Sequence, residues 1–249
     1  MYHAVAPDTR VPHDPQYTLT QRMFERHLLL IRSEAGGACS ARDWLQENRR
    51  ESVMLTFDDG KASDHDVVLP LLLKHGMTAD FFVNPATVGR PGFVSWRALA
   101  EMSAAGMSIQ SHGYDHGYLT HLDPVALRHN LYSSRLEIED RLGVPVTLLA
   151  PPGGRMPPRL ADKARKLGYT HVLCSKPGLV SDAHGNAPLP RLAITATLGD
   201  LAFRRWIAGN IRAIAKARLR YRILSFAKWT MGDERYERLR VTALSGNAE

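Results

Sequence analysis

From Val53 onward the chain alternates short, wholly apolar runs with longer stretches in which apolar residues recur every three or four positions. The first run, Val53-Met54-Leu55-Thr56-Phe57, is too short for a helix of its own and predicts a buried strand. Ser63 to His75 predicts a helix stopped by Gly76, Asp80-Phe81-Phe82-Val83 a second strand, and Ser95 to Ala105 a helix closed by Gly106. Met107 to Gln110 reads as a third strand, and Pro124 to Leu142 as a long helix with proline in its first turn and Gly143 just past its end. Val146 to Ala150, Thr170 to Leu173 and Leu189 to Ile194 complete the strands, with one more helix from Pro158 to Leu167. Strands alternating with helices favour a parallel α/β sheet, and about seven repeats of the unit favour a (β/α) barrel over an open sheet.

Asp200 to Arg222 predicts a separate helix, with Phe203, Trp206, Ile207, Ile211 and Ile214 on one face and Arg204, Arg205, Arg212 and Lys216 elsewhere. The expected organisation is an α/β body over residues 1–199 and a basic amphipathic helical tail over residues 200–249.

Composition changes this picture in three ways. At 249 residues and 44% hydrophobic, the chain can bury one full core, and two domains of equal weight are not expected. Residues 201–249 hold eleven Lys and Arg against four Asp and Glu, a surplus equal to the whole net charge of +7, so the body is neutral. Such a tail suits peripheral contact with an anionic membrane, the alternative being that Phe203, Trp206 and Ile211 simply dock on the body. No base-reading motif or interleaved aromatic platform accompanies the arginines, so no nucleic-acid partner is expected. Cys39 and Cys174 lie far apart without CxxC spacing, which indicates neither a disulfide framework nor a cysteine metal site and fits a reducing compartment. Met1 to Asp8 lacks the charged and apolar regions of a signal peptide, and no run approaches the ~18 apolar residues of a membrane span. The expected location is cytoplasmic, extending to the inner membrane surface through the tail.

Three motifs carry chemistry, each at the end of an expected strand. Thr56-Phe57-Asp58-Asp59-Gly60 closes the first, and in parallel α/β folds the carboxyl ends of strands face the active site. Adjacent residues there diverge, so one acid can bind a metal while the other faces substrate; a turn capping the next helix is the alternative. Ser111-His112-Gly113-Tyr114-Asp115-His116 follows the third strand, and histidines four apart can turn both imidazoles onto one cation. A carboxylate with two neutral imidazoles suits Zn²⁺ or a similar divalent metal, with positions left for water and substrate. Ala150-Pro151-Pro152-Gly153-Gly154-Arg155 follows the Val146 strand, and Gly153 there either lets a backbone N–H reach a developing oxyanion or marks a plain Pro-Gly turn.

The order and spacing of these motifs resemble those of the polysaccharide deacetylases, carbohydrate esterase family 4. The resemblance runs from Tyr2-His3 to about Ile194 and includes Phe81-Phe82-Val83, Ser133-Ser134-Arg135-Leu136, Gly168-Tyr169 and Leu189-Pro190-Arg191. It implies a distorted (β/α) barrel that hydrolyses N-acetyl groups of an N-acetylated oligo- or polysaccharide with one divalent metal, most simply Zn²⁺. A lipid-linked glycan is the form that membrane contact by the tail would suit. Carried over by position, Asp58 becomes the general base and Asp59, His112 and His116 the metal ligands. Arg191 is the candidate to keep Asp58 ionised.

The pattern is broken in three places. Gly113 replaces a hydroxyl residue, so a hydrogen bond that orients a ligand is either missing or supplied by Ser111 or Tyr114. Gly153 stands where an aromatic residue is common, keeping the N–H but losing a wall of the sugar pocket. No Leu-x-His motif follows the last strand, and the missing general acid is sought at His3, because Met1-Tyr2-His3 resembles the opening of the poly-N-acetylglucosamine branch of the family. The absent C-terminal histidine also leaves open a catalytically impaired module that binds metal and sugar on the same fold.

Overall fold

The computed structural model describes residues 1–7, 14–47, 53–181 and 184–231. Strands β1 (Ala4–Ala6) and β2 (Thr18–Thr20) pair in parallel and lead into helix α1 (Gln21–Ala35), whose first turn is capped by Thr20 Oγ1 accepting from Met23 N. Strand β3 (Ala38–Cys39) and helix α2 (Ala41–Glu47) precede β4 (Val53–Met54), which pairs with β3. Then come β5 (Thr56–Asp58), α3 (Leu69–His75), β6 (Asp80–Val83), α4 (Trp96–Ala104) and β7 (Ser108–Ser111). The body continues through α5 (Pro124–Leu142), β8 (Leu148–Leu149), α6 (Leu160–Arg165) and β9 (His171–Val172), and the C-terminal helices are α7 (Asp200–Ile207) and α8 (Ile211–Met231).

The main sheet is parallel throughout, in the order β5-β6-β7-β8-β9. It holds five strands among the described residues, where about seven are expected from the sequence. The two remaining places are filled by single bridges, Tyr2 onto Phe57 and Leu189 onto Leu173. Hydrogen bonds from Met1 N to Leu192 O (3.0 Å) and from Ile194 N to Met1 O (2.9 Å) link these two flanking segments, giving the curled outline of a distorted (β/α) barrel. Leu189 to Ile194 is not the strand its composition predicts, since Pro190 has no N–H to extend the ladder. The single strand expected over Val53 to Phe57 is likewise two. At Leu55 the chain changes neighbours, its N–H bonding to Cys39 O and its carbonyl accepting from Asp80 N, both at 3.0 Å.

Side-chain alternation along β5 sorts core from site. Phe57 faces the helical layer, where it stacks between Tyr2 and Phe81 with ring centroids 5.2 and 5.0 Å away. Thr56 and Asp58 fall on the opposite face, toward the barrel interior that Phe82, Leu148, Ala150, Leu173 and Leu189 line. The helix expected from Ser63 opens instead with a π-helical turn, Asp64–Val68. Pro70 lacks the N–H that an α-helix would bond to the carbonyl four residues back, and the wider turn absorbs the misfit.

Asp200 to Arg222 is broken into two helices. Gly209 adopts φ 67°, which closes α7, and Asn210 restarts the chain by accepting from Ala213 N with its side chain at 3.0 Å. Helix α7 docks on α1: Phe203 is buried against the His27 ring at 3.9 Å, and Arg26 pairs with Asp200. In α8, Arg212, Lys216, Leu219 and Ile223 follow at spacings of four, three and four, so cations and apolar residues share one stripe. An apolar face separate from the charges is therefore found on α7 and not on the described part of α8. The tail expected over 200–249 extends beyond the described residues at 232–249. No helix among the described residues is long and apolar enough to cross a membrane.

Candidate metal centre and active site

Directly after β5 the chain turns sharply, and Asp59 sits at φ 81°, in the left-handed region that a non-glycine residue enters at a cost of about 1–2 kcal/mol. The turn carries the Asp59 carboxylate away from Asp58 and toward the loop after β7. His112 Nε2 lies 3.4 Å from Asp59 Oδ1 and His116 Nε2 3.0 Å from the same oxygen, the three ligand atoms falling within 4.8 Å of one another. His116 is itself at φ 65°, so two of the three expected ligands are held in strained backbone.

The donor set fits a divalent metal. His112 Nδ1 is 2.7 Å from Ala150 O, and because a carbonyl only accepts, Nδ1 must carry the proton. That fixes the tautomer with a bare Nε2 lone pair aimed at Asp59, the arrangement metal-bound histidines use. Burial alone would push the Asp59 carboxyl up, but the His112 and His116 imidazoles beside it outweigh burial and hold the group far below the usual range. Asp59 therefore offers an ionised oxygen.

Asp58 is held apart from this cluster. Arg191 forks onto it, Nη1 to Oδ1 at 2.7 Å and Nη2 to Oδ2 at 2.9 Å, with both side chains about 95% buried. Burial raises the Asp58 carboxyl, yet the Arg191 charge, followed by His112, brings it below its ordinary value. The remaining guanidinium donors reach Thr56 Oγ1 and Cys174 O, each at 3.3 Å, and the group lies over the Phe82 ring at 5.4 Å. A cavity of about 280 Å³ lies among Met54, Leu55, Leu189, Phe203 and Trp206, and Asp59, His112 and His116 do not line it.

His3 packs into the site and is not frayed. Its ring lies 4.7 Å from that of Tyr17, and its Nδ1 is buried without a hydrogen-bond partner among the described residues. Burial lowers its pKa, with Asp58 and Asp59 pulling the other way. The resting ring is mainly neutral at pH 7, and the two carboxylates are the local groups that favour its protonated form. Gly153 stands at φ 60° in the turn after β8.

Several supporting residues lie outside the expected site. Ser111, Ser134 and the Gly113 backbone form a closed set: Ser111 Oγ accepts from Gly113 N at 3.2 Å and meets Ser134 Oγ at 2.8 Å, while Ser134 donates to Gly113 O at 3.0 Å. Ser111 thus braces the Gly113 backbone, while the ring of His112 is held by Ala150 O. Asn130 Oδ1 accepts from Tyr114 N at 3.0 Å and Asn84 Nδ2 donates to His112 O at 2.6 Å, pinning both ends of the histidine loop. Asp64 is fully buried, and neither carboxyl oxygen has a partner among the described residues. Burial, reinforced by the Asp59 charge, raises its pKa well above normal.

Comparison with known proteins places this architecture. A polysaccharide deacetylase family model matches residues 46–172, just over half of the chain and the stretch that carries Asp58, Asp59, His112, His116 and Gly153. The Bacillus subtilis (strain 168) protein YxkH, a polysaccharide deacetylase by name, is 26% identical over 215 residues, covering 83% of this chain and 74% of its own. Among solved structures, the Streptococcus pyogenes deacetylase PplD, in complex with acetate, superposes with a TM-score of 0.70 at 23% identity, over 80% of this chain and 92% of its own. A de-N-acetylase from Aggregatibacter actinomycetemcomitans gives 0.68 at 20% identity, over 80% and 94%. The chain belongs to the polysaccharide deacetylase family.

Proposed function

We propose that this chain is a metal-dependent hydrolase that removes N-acetyl groups from an N-acetylated glycan. The observation that carries the reading is the division of labour between adjacent acids: Asp59 shares one oxygen with two imidazoles, while Asp58, held ionised by Arg191, is left to act on substrate. Asp59, His112 and His116 would hold the cation, and one carboxylate with two imidazole nitrogens suits Zn²⁺. Bound there, a divalent metal polarises the acetyl carbonyl and lowers the pKa of water toward ~7. Asp58 takes the proton of the attacking water, the Gly153 N–H donates to the developing oxyanion, and His3, in its imidazolium form, gives the proton to the leaving nitrogen.

Incubation of the purified protein with N-acetylated chito-oligosaccharides and poly-N-acetylglucosamine oligosaccharides, followed by mass spectrometry, tests this reading. The expected product has lost one acetyl, replaced by hydrogen, and appears with free acetate. Chelation abolishes the reaction and added Zn²⁺ restores it. Glycan binding without acetate release would instead identify a catalytically impaired module.

We further propose that the glycan is lipid-linked and that α8 brings the protein to an anionic membrane. Exposed Ile211, Leu219, Ile223 and Leu224 stand among five cations between Arg212 and Arg222. Mixed as they are, these residues favour electrostatic contact over insertion. Sedimentation with anionic vesicles should fall on removal of residues 211–249 and in high salt, and unchanged sedimentation of the truncated chain excludes the idea.

A further inference from the structure

Gly153 has no side chain, yet the space in front of it is filled. A Cβ built on Gly153 would lie 2.6 Å from Tyr118 Cε1, with two more carbons of the same ring at 3.3 and 3.5 Å. Real Cβ atoms essentially never come that close, so the Tyr118 ring occupies the place a side chain at 153 would take and would have to move to admit one. Tyr118 reaches this place from the histidine loop, two residues beyond His116. It remains partly exposed, with the Arg155 guanidinium 5.3 Å from its ring centroid and His121 edge-on at 5.5 Å.

We infer that Tyr118 is a substrate-contacting, specificity-determining residue whose ring forms an apolar wall beside the reacting acetamido group and stacks on a pyranose ring of the glycan. This rests on the deacetylase reading. Three observations converge on it. The ring abuts Gly153, the residue to which the proposed reaction assigns the oxyanion contact. It sits two residues beyond His116, on the loop that carries this candidate metal ligand. Pyranose rings present C–H faces that pack on aromatic carbon, and a partly exposed Tyr is the side chain that can offer such a face while its hydroxyl stays wet.

A purely structural Tyr118, holding the 116–121 segment against the turn after β8, would behave differently. Its loss would disturb His116, so metal content and kcat would fall together. A substrate wall predicts a KM effect instead. Steady-state kinetics on an N-acetylated tetrasaccharide should show Tyr118→Leu raising KM by about tenfold, in line with a contact of about 1.4 kcal/mol, with kcat and metal content unchanged. Tyr118→Phe should keep KM within about threefold of wild type, because it retains the ring. Calorimetric titration of the same sugar into Asp58→Asn protein, with and without Tyr118→Leu, should show the same tenfold change in Kd.

A Tyr118→Leu variant that matches wild type in KM, or that loses metal and kcat together, overturns the assignment while leaving the deacetylase reading intact. A wild-type protein that neither binds nor deacetylates the sugar removes both.

Discussion

Asp58→Asn is expected to lower kcat by about 10²–10⁴, the usual contribution of a positioned general base, while the purified variant retains its metal. Period-two alternation places Asp58 with Thr56 on the barrel's inner face, whereas φ 81° at Asp59 swings the next carboxylate toward His112 and His116. Asparagine keeps an acceptor for Arg191 and fills the same volume, so it removes proton-accepting ability with little change of shape. Asp59→Ala should do the opposite to the metal, deleting the oxygen on which both imidazoles converge and abolishing metal retention and turnover together. Elemental analysis of the two purified variants beside their deacetylation rates separates the roles. A fully active Asp58→Asn protein removes the base assignment, and stoichiometric metal in Asp59→Ala removes the ligand set.

The parts of this site that are legible in the sequence are those written in contiguous residues. Two acids at the end of an apolar run and two histidines four apart announce a metal centre because strand ends in parallel folds converge. His3 is different: nothing local marks a terminal histidine, and only the resemblance of Met1-Tyr2-His3 to a family opening points to it. Tyr118 and Asn130 are not legible at all, and Ser134 enters only through the family resemblance, since each is an ordinary loop or helix residue whose use depends on what it meets. In the fold, the long segments with caps read well, and Pro124 to Leu142 forms the helix predicted for it. Strands of two or three residues, such as those before residue 55, carry too little periodicity to register. Pro70 and Pro190 mark in advance where a helix widens and a ladder stops, and those local signals outrank the apolar runs around them.

Replacing Arg191 tests the remaining half of the site, the means by which a fully buried carboxylate stays charged. Burial is the largest influence on Asp58 and acts against ionisation, so the group sits below its ordinary pKa only because Arg191, with help from His112, opposes it. Arg191→Met leaves the desolvation and removes the counter-charge, and the carboxyl then titrates above its ordinary value. The acid limb of kcat/KM should move to higher pH, since a protonated Asp58 cannot accept a proton from water. Stability follows the same sign. In the wild type the depressed carboxyl contributes stability that is present above the unfolded pKa and is lost as pH falls through the folded one. In Arg191→Met that contribution is absent, so the variant should be destabilised by about 3–5 kcal/mol near neutral pH, the usual cost of stranding one member of a buried pair, and by less in acid. Arg191→Lys should recover only part of this, because an ammonium cannot make two parallel bonds to Asp58 while also reaching Thr56 and Cys174. The decisive comparison is denaturant unfolding of Arg191→Met with and without Asp58→Asn. Removing the stranded charge should return most of the lost stability without returning activity. If the two substitutions prove additive in stability, or if the pH profile of Arg191→Met overlays that of the wild type, Arg191 does not govern the ionisation of Asp58.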